Sequence, residues 1–245
     1  MSEELVERRS LEDLEALLEA GRKQSIKLVI IGGYAVAAYT RGYRYTKDID
    51  LVADKPALGK LKGLLKSLSY SIRDTEFGIA GSKKLNGGFI DLHISVGKIY
   101  DLSTGKEYPV DSSFFRNAKR LTVRGHMSKN SSLKAAVVDL ETLVILKTMP
   151  VGRDKDAVDL LSLLRDKKKE IDLEVLAQRI KAAGLNMHLL ERIRDYAKRL
   201  REDELDKVWF DMTATRLPFT EKREIAKLFA KLVELGRASR TADSP

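Results

Sequence analysis

The chain has 245 residues, with 45 Lys and Arg against 36 Asp and Glu, a formal net charge of +9. With 43% apolar, 33% charged and 7% aromatic residues it reads as a folded protein, of one large domain or two small ones. Cysteine is absent, which excludes disulfides, thiolate zinc sites, iron–sulfur clusters and thiol nucleophiles. The three histidines, His93, His126 and His188, have no i, i+4 spacing, which argues against a histidine-based zinc site. No apolar run has the length of a membrane span, and the charged N-terminus lacks a signal-peptide core, so a cytoplasmic protein without membrane contact is expected.

In chain order, Ser10-Leu11-Glu12-Asp13 reads as a capping box opening a helix that Gly21 ends. Ile26–Ile31 is a short β-branched run, a buried strand closed by Gly32-Gly33. A short helix over Tyr34–Tyr39 and a basic loop from Thr40 to Lys47 follow. Asp48–Val52 alternates acid and apolar residues, as a strand with one polar face does. Pro56–Leu68 has helical periodicity. Tyr70–Arg73, Gly88–Ser95 and Leu121–Val123 read as strands. Beyond residue 130 the pattern is helical: Leu140–Lys147, Asp154–Leu164, Leu173–Ala183, Met187–Leu200 and Thr220–Leu235, with breaks at Gly184 and Pro218. Trp209, Phe210 and Phe219 are expected in the helical core, and His126 and His188 at the surface.

Chemistry concentrates in two places. A strand ending in two glycines lets backbone approach a ligand and opens a helix N-terminus, where amide groups and the helix dipole favour phosphate. Asp48 and Asp50, two residues apart on a strand, project from one face. Their oxygens suit Mg²⁺, bound by a few carboxylates and substrate phosphates. Asp91 alternates with apolar neighbours in the same way. Three acids on neighbouring strands beside a glycine turn make a two-metal phosphoryl-transfer site. Taken singly, Gly32-Gly33 also suits an ordinary strand-to-helix turn, and Asp48 and Asp50 also suit an exposed edge strand. Phe114–Lys134 carries Arg116, Lys119, Arg120, Arg124, Lys129 and Lys134 and no acid. It reads equally as a surface tracking a phosphate backbone or as a solvated strand edge.

Two glycines, then Asp48-Ile49-Asp50 preceded by Arg44-Tyr45-Thr46, and a later apolar-Asp91-apolar strand resemble the DNA polymerase beta-like nucleotidyltransferase superfamily. Lys147 followed by Arg153-Asp154-Lys155-Asp156 and Asp159 is similar to the subset of abortive-infection-type nucleotidyltransferase toxins. The resemblance covers roughly residues 26–165. It implies an α+β fold with a mixed β-sheet flanked by helices, here over residues 1–138, while the helical pattern along the chain gives an α-helical domain over 139–238 that the resemblance does not cover beyond residue 165, and residues 239–245 read as a flexible tail. It implies that Gly32, Gly33, Arg44, Thr46 and Lys147 contact an NTP, and that Asp48, Asp50 and Asp91 are catalytic and hold Mg²⁺ or Mn²⁺. His93, Arg153, Lys155, Asp156 and Asp159 would support the site from behind. The last four also suit a plain helix ion-pair network, and His93 a structural role.

The reaction implied is transfer of NMP to an acceptor hydroxyl. The basic stretch with Arg116, Lys119, Arg120 and Arg124 favours RNA, tRNA among the candidates. A protein side chain or a small hydroxylated molecule also fits. The toxin resemblance implies a toxin–antitoxin pair with an acidic protein partner. Two other readings remain: a non-catalytic nucleic-acid-binding protein that keeps the fold, and a scaffold built on the helical half. The mutual repulsion of three clustered acids argues against both.

Overall fold

The computed structural model describes residues 2–86, 88–128 and 130–241. These divide into two units, one of residues 2–100 and 107–139, the other of residues 101–106 and 140–241.

The first unit opens with α1 (Glu3–Lys23). Ser2 caps it, acids occupy its first turn and bases its last, as the helix dipole favours. Val6, Leu11, Leu14 and Leu17 form its buried stripe. The helix therefore begins seven residues before the expected capping box and runs past Gly21 to Lys23. Ser10 lies in mid-helix, where its hydroxyl donates to the Lys47 carbonyl at 2.6 Å.

β1 (Leu28–Ile30) leads into α2 (Gly32–Tyr39), then β2 (Ile49–Ala53), a 3₁₀ turn at Lys55–Ala57 and α3 (Leu58–Ser67). β3 (Ser71–Thr75), β4 (Gly78–Leu85) and β5 (Gly88–Val96) form an antiparallel meander. β6 (Lys98–Asp101), β7 (Lys106–Pro109), α4 (Ser112–Asn117), β8 (Lys119–Arg124) and β9 (Ser132–Val137) complete the sheet. Its order is β3-β4-β5-β2-β1-β9-β8, with β6 pairing β5 and β7. β1 runs antiparallel to β2 and parallel to β9, and β2 parallel to β5, so the sheet is mixed. Leu51, Val52, Ile90, Leu92, Leu61, Leu65 and Tyr34 are fully buried in its core. β4, β6, β7 and β9 are strands where the sequence predicts none.

The second unit is helical: α5 (Leu140–Thr148), α6 (Asp154–Lys167), α7 (Leu173–Ala182), α8 (Asn186–Arg201), α9 (Glu204–Thr213) and α10 (Phe219–Thr241). Trp209 is fully buried, and Tyr196 stacks on Phe229 with ring centroids 6.3 Å apart. Phe210 and Phe219 are exposed, contrary to expectation, while Trp209 on α9 and Leu217 in the connection before α10 are buried. His126 and His188 are half-buried and bond backbone carbonyls, also contrary to expectation. α10 extends through Thr241 into the expected tail, and residues 242–245 lie outside those described. No helix among the described residues is long and apolar enough to cross a membrane.

Asp111 caps α4, accepting from the Ser113 and Phe114 amides at 2.8 and 3.0 Å and from the Ser113 hydroxyl. The Ser113 hydroxyl, then the amides, hold its carboxyl below the ordinary aspartate value against an opposing effect of burial. Asp111→Ala is expected to lower stability by about 1 kcal/mol at neutral pH. Because the folded state binds its proton less well, the difference is complete above the ordinary carboxylate range. It fades as pH falls through the depressed value. Urea melts at neutral and acid pH check both the size and the sign.

Candidate active site

β1 and β2 pair antiparallel, so Ile31 comes to lie across from Asp50, and the Ile31 amide donates to the Asp50 carbonyl at 3.0 Å. The next residue, Gly32, has φ +66°, and a Cβ on it would lie 2.1 Å from Asp50 Oδ2. A Cβ on Gly33 would lie 2.6 Å from Thr46 Oγ1 and 3.2 Å from the Arg44 guanidinium. The two glycines therefore make room for different partners. Gly32 admits the Asp50 carboxylate, and Gly33 admits Thr46 and Arg44. Together they bring the start of α2, with its unpaired amides, against the acid motif.

β2 pairs parallel with β5, with Asp50 opposite His93. On β5, residues 89, 91 and 93 alternate with buried Ile90, Leu92 and Ile94, so Asp91 and His93 share the solvent-facing side. His93 Nδ1 lies 3.5 Å from Asp50 Oδ1. That contact is the largest cause holding the imidazole above its ordinary pKa, with Asp50, Asp48 and Asp91 charges adding to it and burial opposing. Asp91 Oδ2 lies 3.8 Å from Lys47 Nζ, which also donates to the Phe89 carbonyl at 2.7 Å. Thr46 is buried and Asp48 is half-buried. Burial, with nearby carboxylates adding, pushes the neighbouring Tyr45 hydroxyl up to about 12.

Asp48, Asp50 and Asp91 supply the hard oxygen donors that Mg²⁺ or Mn²⁺ takes. Among the described residues, no three His, Asp or Glu side chains form a group that could hold a metal. The donor set suits an ion carried by one or two carboxylates with phosphate oxygens and water, the usual Mg²⁺ arrangement beside a nucleotide, rather than an all-protein cage.

The loop bearing Arg44 and Thr46 is held by residues that sequence reasoning missed. Glu7 of α1 is fully buried. It accepts from the amides of His126, Met127 and Ser128 at 2.9, 2.8 and 2.9 Å and from the Ser128 hydroxyl at 3.0 Å. His126 Nδ1 in turn meets the Gly42 carbonyl at 2.5 Å, and since a carbonyl only accepts, that nitrogen carries the proton. A Cβ at Gly125 would lie 2.5 Å from Glu7 Oε2, so a side chain there is excluded. An acid in the hydrophilic N-terminal turns carries no local signal of burial.

Lys147 belongs to the second unit. Its amine sits 2.8 Å from Asp156 Oδ1 and 2.7 Å from Asp159 Oδ2, all three nearly buried, and Arg153 Nε is 3.0 Å from Asp156 Oδ2. These four form one ion cluster, the network reading of the motif, while Lys155 is exposed. Arg116, Lys119, Arg120 and Arg124 are all exposed, and Lys129 lies outside the described residues. Thr122 pairs with Lys134, so Arg120, Arg124 and Lys134 share one face of the β8–β9 ribbon.

Over residues 16–233 the chain matches the nucleotidyl transferase AbiEii toxin family of type IV toxin–antitoxin systems. The chain belongs to this family. The expected relationship to abortive-infection-type nucleotidyltransferase toxins is thereby borne out. Among solved structures it is similar to ANT(2'')-Ia in complex with adenylyl-2''-tobramycin, with TM-score 0.50 and 14% identity, over 71% of this chain and 96% of that one. It is also similar to the lincomycin-bound lincosamide antibiotic adenylyltransferase LnuA, with TM-score 0.41 and 18% identity, over 62% and 94%. A third is the Megavirus polyadenylate synthase, with TM-score 0.39 and 14% identity, over 93% and 49%. The first of these likenesses supports the expected α+β nucleotidyltransferase fold. No curated protein matches the chain in sequence.

Two substitutions test this construction. Gly32→Ala is expected to lose about 1–2 kcal/mol to backbone strain alone and more to overlap with Asp50, read as a lower urea midpoint together with weakened NTP binding. Glu7→Ala leaves three amides and the buried Ser128 hydroxyl without an acceptor and is expected to destabilise the protein by about 3 kcal/mol. Hydrogen exchange should accelerate at residues 126–128, and an unchanged midpoint with unchanged protection would contradict the assignment.

Proposed function

We propose that the chain is a Mg²⁺- or Mn²⁺-dependent nucleotidyltransferase that moves NMP from an NTP to an acceptor hydroxyl, with an RNA as the favoured acceptor. The observation that carries this reading is the packing of Gly32 against Asp50 and of Gly33 against Thr46 and Arg44, with Asp91 on the adjoining parallel strand. The amides opening α2 bind the triphosphate, assisted by the Arg44 guanidinium and the Thr46 hydroxyl. Asp48 and Asp50 hold the divalent cation, which when bound neutralises charge on the phosphates. Asp91 accepts the proton of the acceptor hydroxyl as its oxygen bonds to the α-phosphorus, and pyrophosphate leaves with the electrons of the broken P–O bond. Positioning and charge neutralisation supply most of the acceleration. His93 orients the Asp50 carboxylate. Family membership supports action as the toxin of a toxin–antitoxin pair, beside an antitoxin.

The exposed Arg120, Arg124 and Lys134 on one ribbon face, with Arg116 and Lys119 nearby in sequence, support an RNA acceptor. The same face supports a second reading, a nucleic-acid-binding protein that keeps the fold without catalysis. Incubation with each α-³²P-labelled NTP, Mg²⁺ and total RNA, read on a denaturing gel, separates them. The expected result is a labelled RNA band from one NTP, reduced about 10³-fold in an Asp48→Ala/Asp50→Ala variant whose thermal midpoint is retained. Salt-sensitive RNA binding without label, unchanged in that variant, would favour the second reading. Label on protein would replace RNA by a side-chain hydroxyl.

A further inference from the structure

Lys47 lies between the Arg44–Thr46 pair and the Asp48–Asp50 pair and takes no part in the roles given above. Its backbone is pinned to α1, because its carbonyl accepts the Ser10 hydroxyl at 2.6 Å. Its side chain reaches across to β5, where the amine donates to the Phe89 carbonyl at 2.7 Å and stands 3.8 Å from Asp91 Oδ2. Asp50, by contrast, faces the His93 imidazole. Each strand carboxylate is thus met by a different basic group of the protein, and the one at Asp91 is a flexible ammonium. The side chains of Lys47 and Asp91 are 31% and 47% exposed. An ion pair that open to water is weak, so the amine can leave the carboxylate for solvent without much loss.

An ammonium beside a carboxylate repels a divalent ion that approaches the same group and lowers the affinity of that carboxylate for it. Even in water, a single positive charge about 5 Å from a divalent ion weakens its binding by roughly ten-fold. We propose that Lys47 is a positioning residue that stands in for a cation at Asp91, so that a divalent ion binds Asp91 more tightly once the Lys47 amine withdraws. The inference rests on the functional reading above. Its consequence is an order of assembly. Asp48 and Asp50 accept their ion first, and Asp91 gains its full affinity for an ion when the Lys47 amine moves off it.

The test is Mn²⁺ binding to the full-length protein without nucleotide, followed by the electron paramagnetic resonance signal of free Mn²⁺. Lys47→Met keeps the alkyl stem and removes the charge. It is expected to bind Mn²⁺ roughly ten-fold more tightly than the parent, or to take up an additional ion. Lys47→Arg keeps the charge and should stay near the parent. Adding Asp91→Asn to Lys47→Met should cancel the gain. Equal or weaker binding by Lys47→Met overturns the proposal, as does a gain that Lys47→Arg shares or that survives loss of the Asp91 carboxylate. If Mn²⁺ binding depends on Asp48 and Asp50 but ignores Lys47, only this proposal falls. If no variant binds Mn²⁺ either alone or with an NTP present, the functional reading falls with it.

Discussion

A buried carboxylate holds the working end of the first unit together. Glu7 has no solvent exposure, so its charge must be met entirely by protein donors, and three consecutive amides and a hydroxyl of the 126–128 turn meet it. That turn passes the constraint on through His126 to Gly42, at the head of the loop that carries Arg44, Thr46 and Asp48. One turn further along α1, Ser10 holds the other end of the same loop at Lys47. The loop has no regular structure of its own. Its conformation is set at both ends by a helix more than thirty residues away.

Within that frame the site follows from strand pairing. The antiparallel β1–β2 pair carries the glycine turn to Asp50, and the parallel β2–β5 pair brings Asp91 and His93 alongside. Because side chains alternate on a strand, one register sets which acids face outward and which aliphatic residues fill the core. The glycines are small because side chains of the acid motif already occupy the space a Cβ would need. Motif spacing and sheet topology are two descriptions of one contact.

The second unit handles charge differently. Lys147 is nearly buried and balanced by Asp156 and Asp159, while the exposed Arg153 shares the Asp156 carboxylate. Each charge in the cluster is met by an opposite one, which lets Lys147, Asp156 and Asp159 be buried. The pattern whose resemblance implied a nucleotide contact at Lys147, with Arg153, Asp156 and Asp159 in support, joins these four residues in one ion-pair network within its own unit.

Local signals in the sequence were enough to find β1, β2, β5, α3 and most later helices, because hydrophobic period and glycine breaks are properties of neighbours along the chain. Alternation also placed Asp50 and Asp91 on strand faces, where β2 and β5 carry them, whereas Asp48 lies just before β2 and not on the strand expected from residue 48. β4 and β9 were not legible. Their glycines, lysines and serines carry little strand propensity, and pairing with β5 and β8 makes them strands. Ser10 satisfied a local capping rule, yet its hydroxyl bonds a carbonyl 37 positions away. The residue types and their periodicity determined where most strands and helices form, and the resemblance of the glycine and acid motifs implied the nucleotidyltransferase-like sheet. The tertiary structure alone decided that Glu7, Ser10 and His126 hold the motif loop and that Lys47 reaches Asp91. A hydrogen bond between distant segments leaves no trace in the order of residues around either partner.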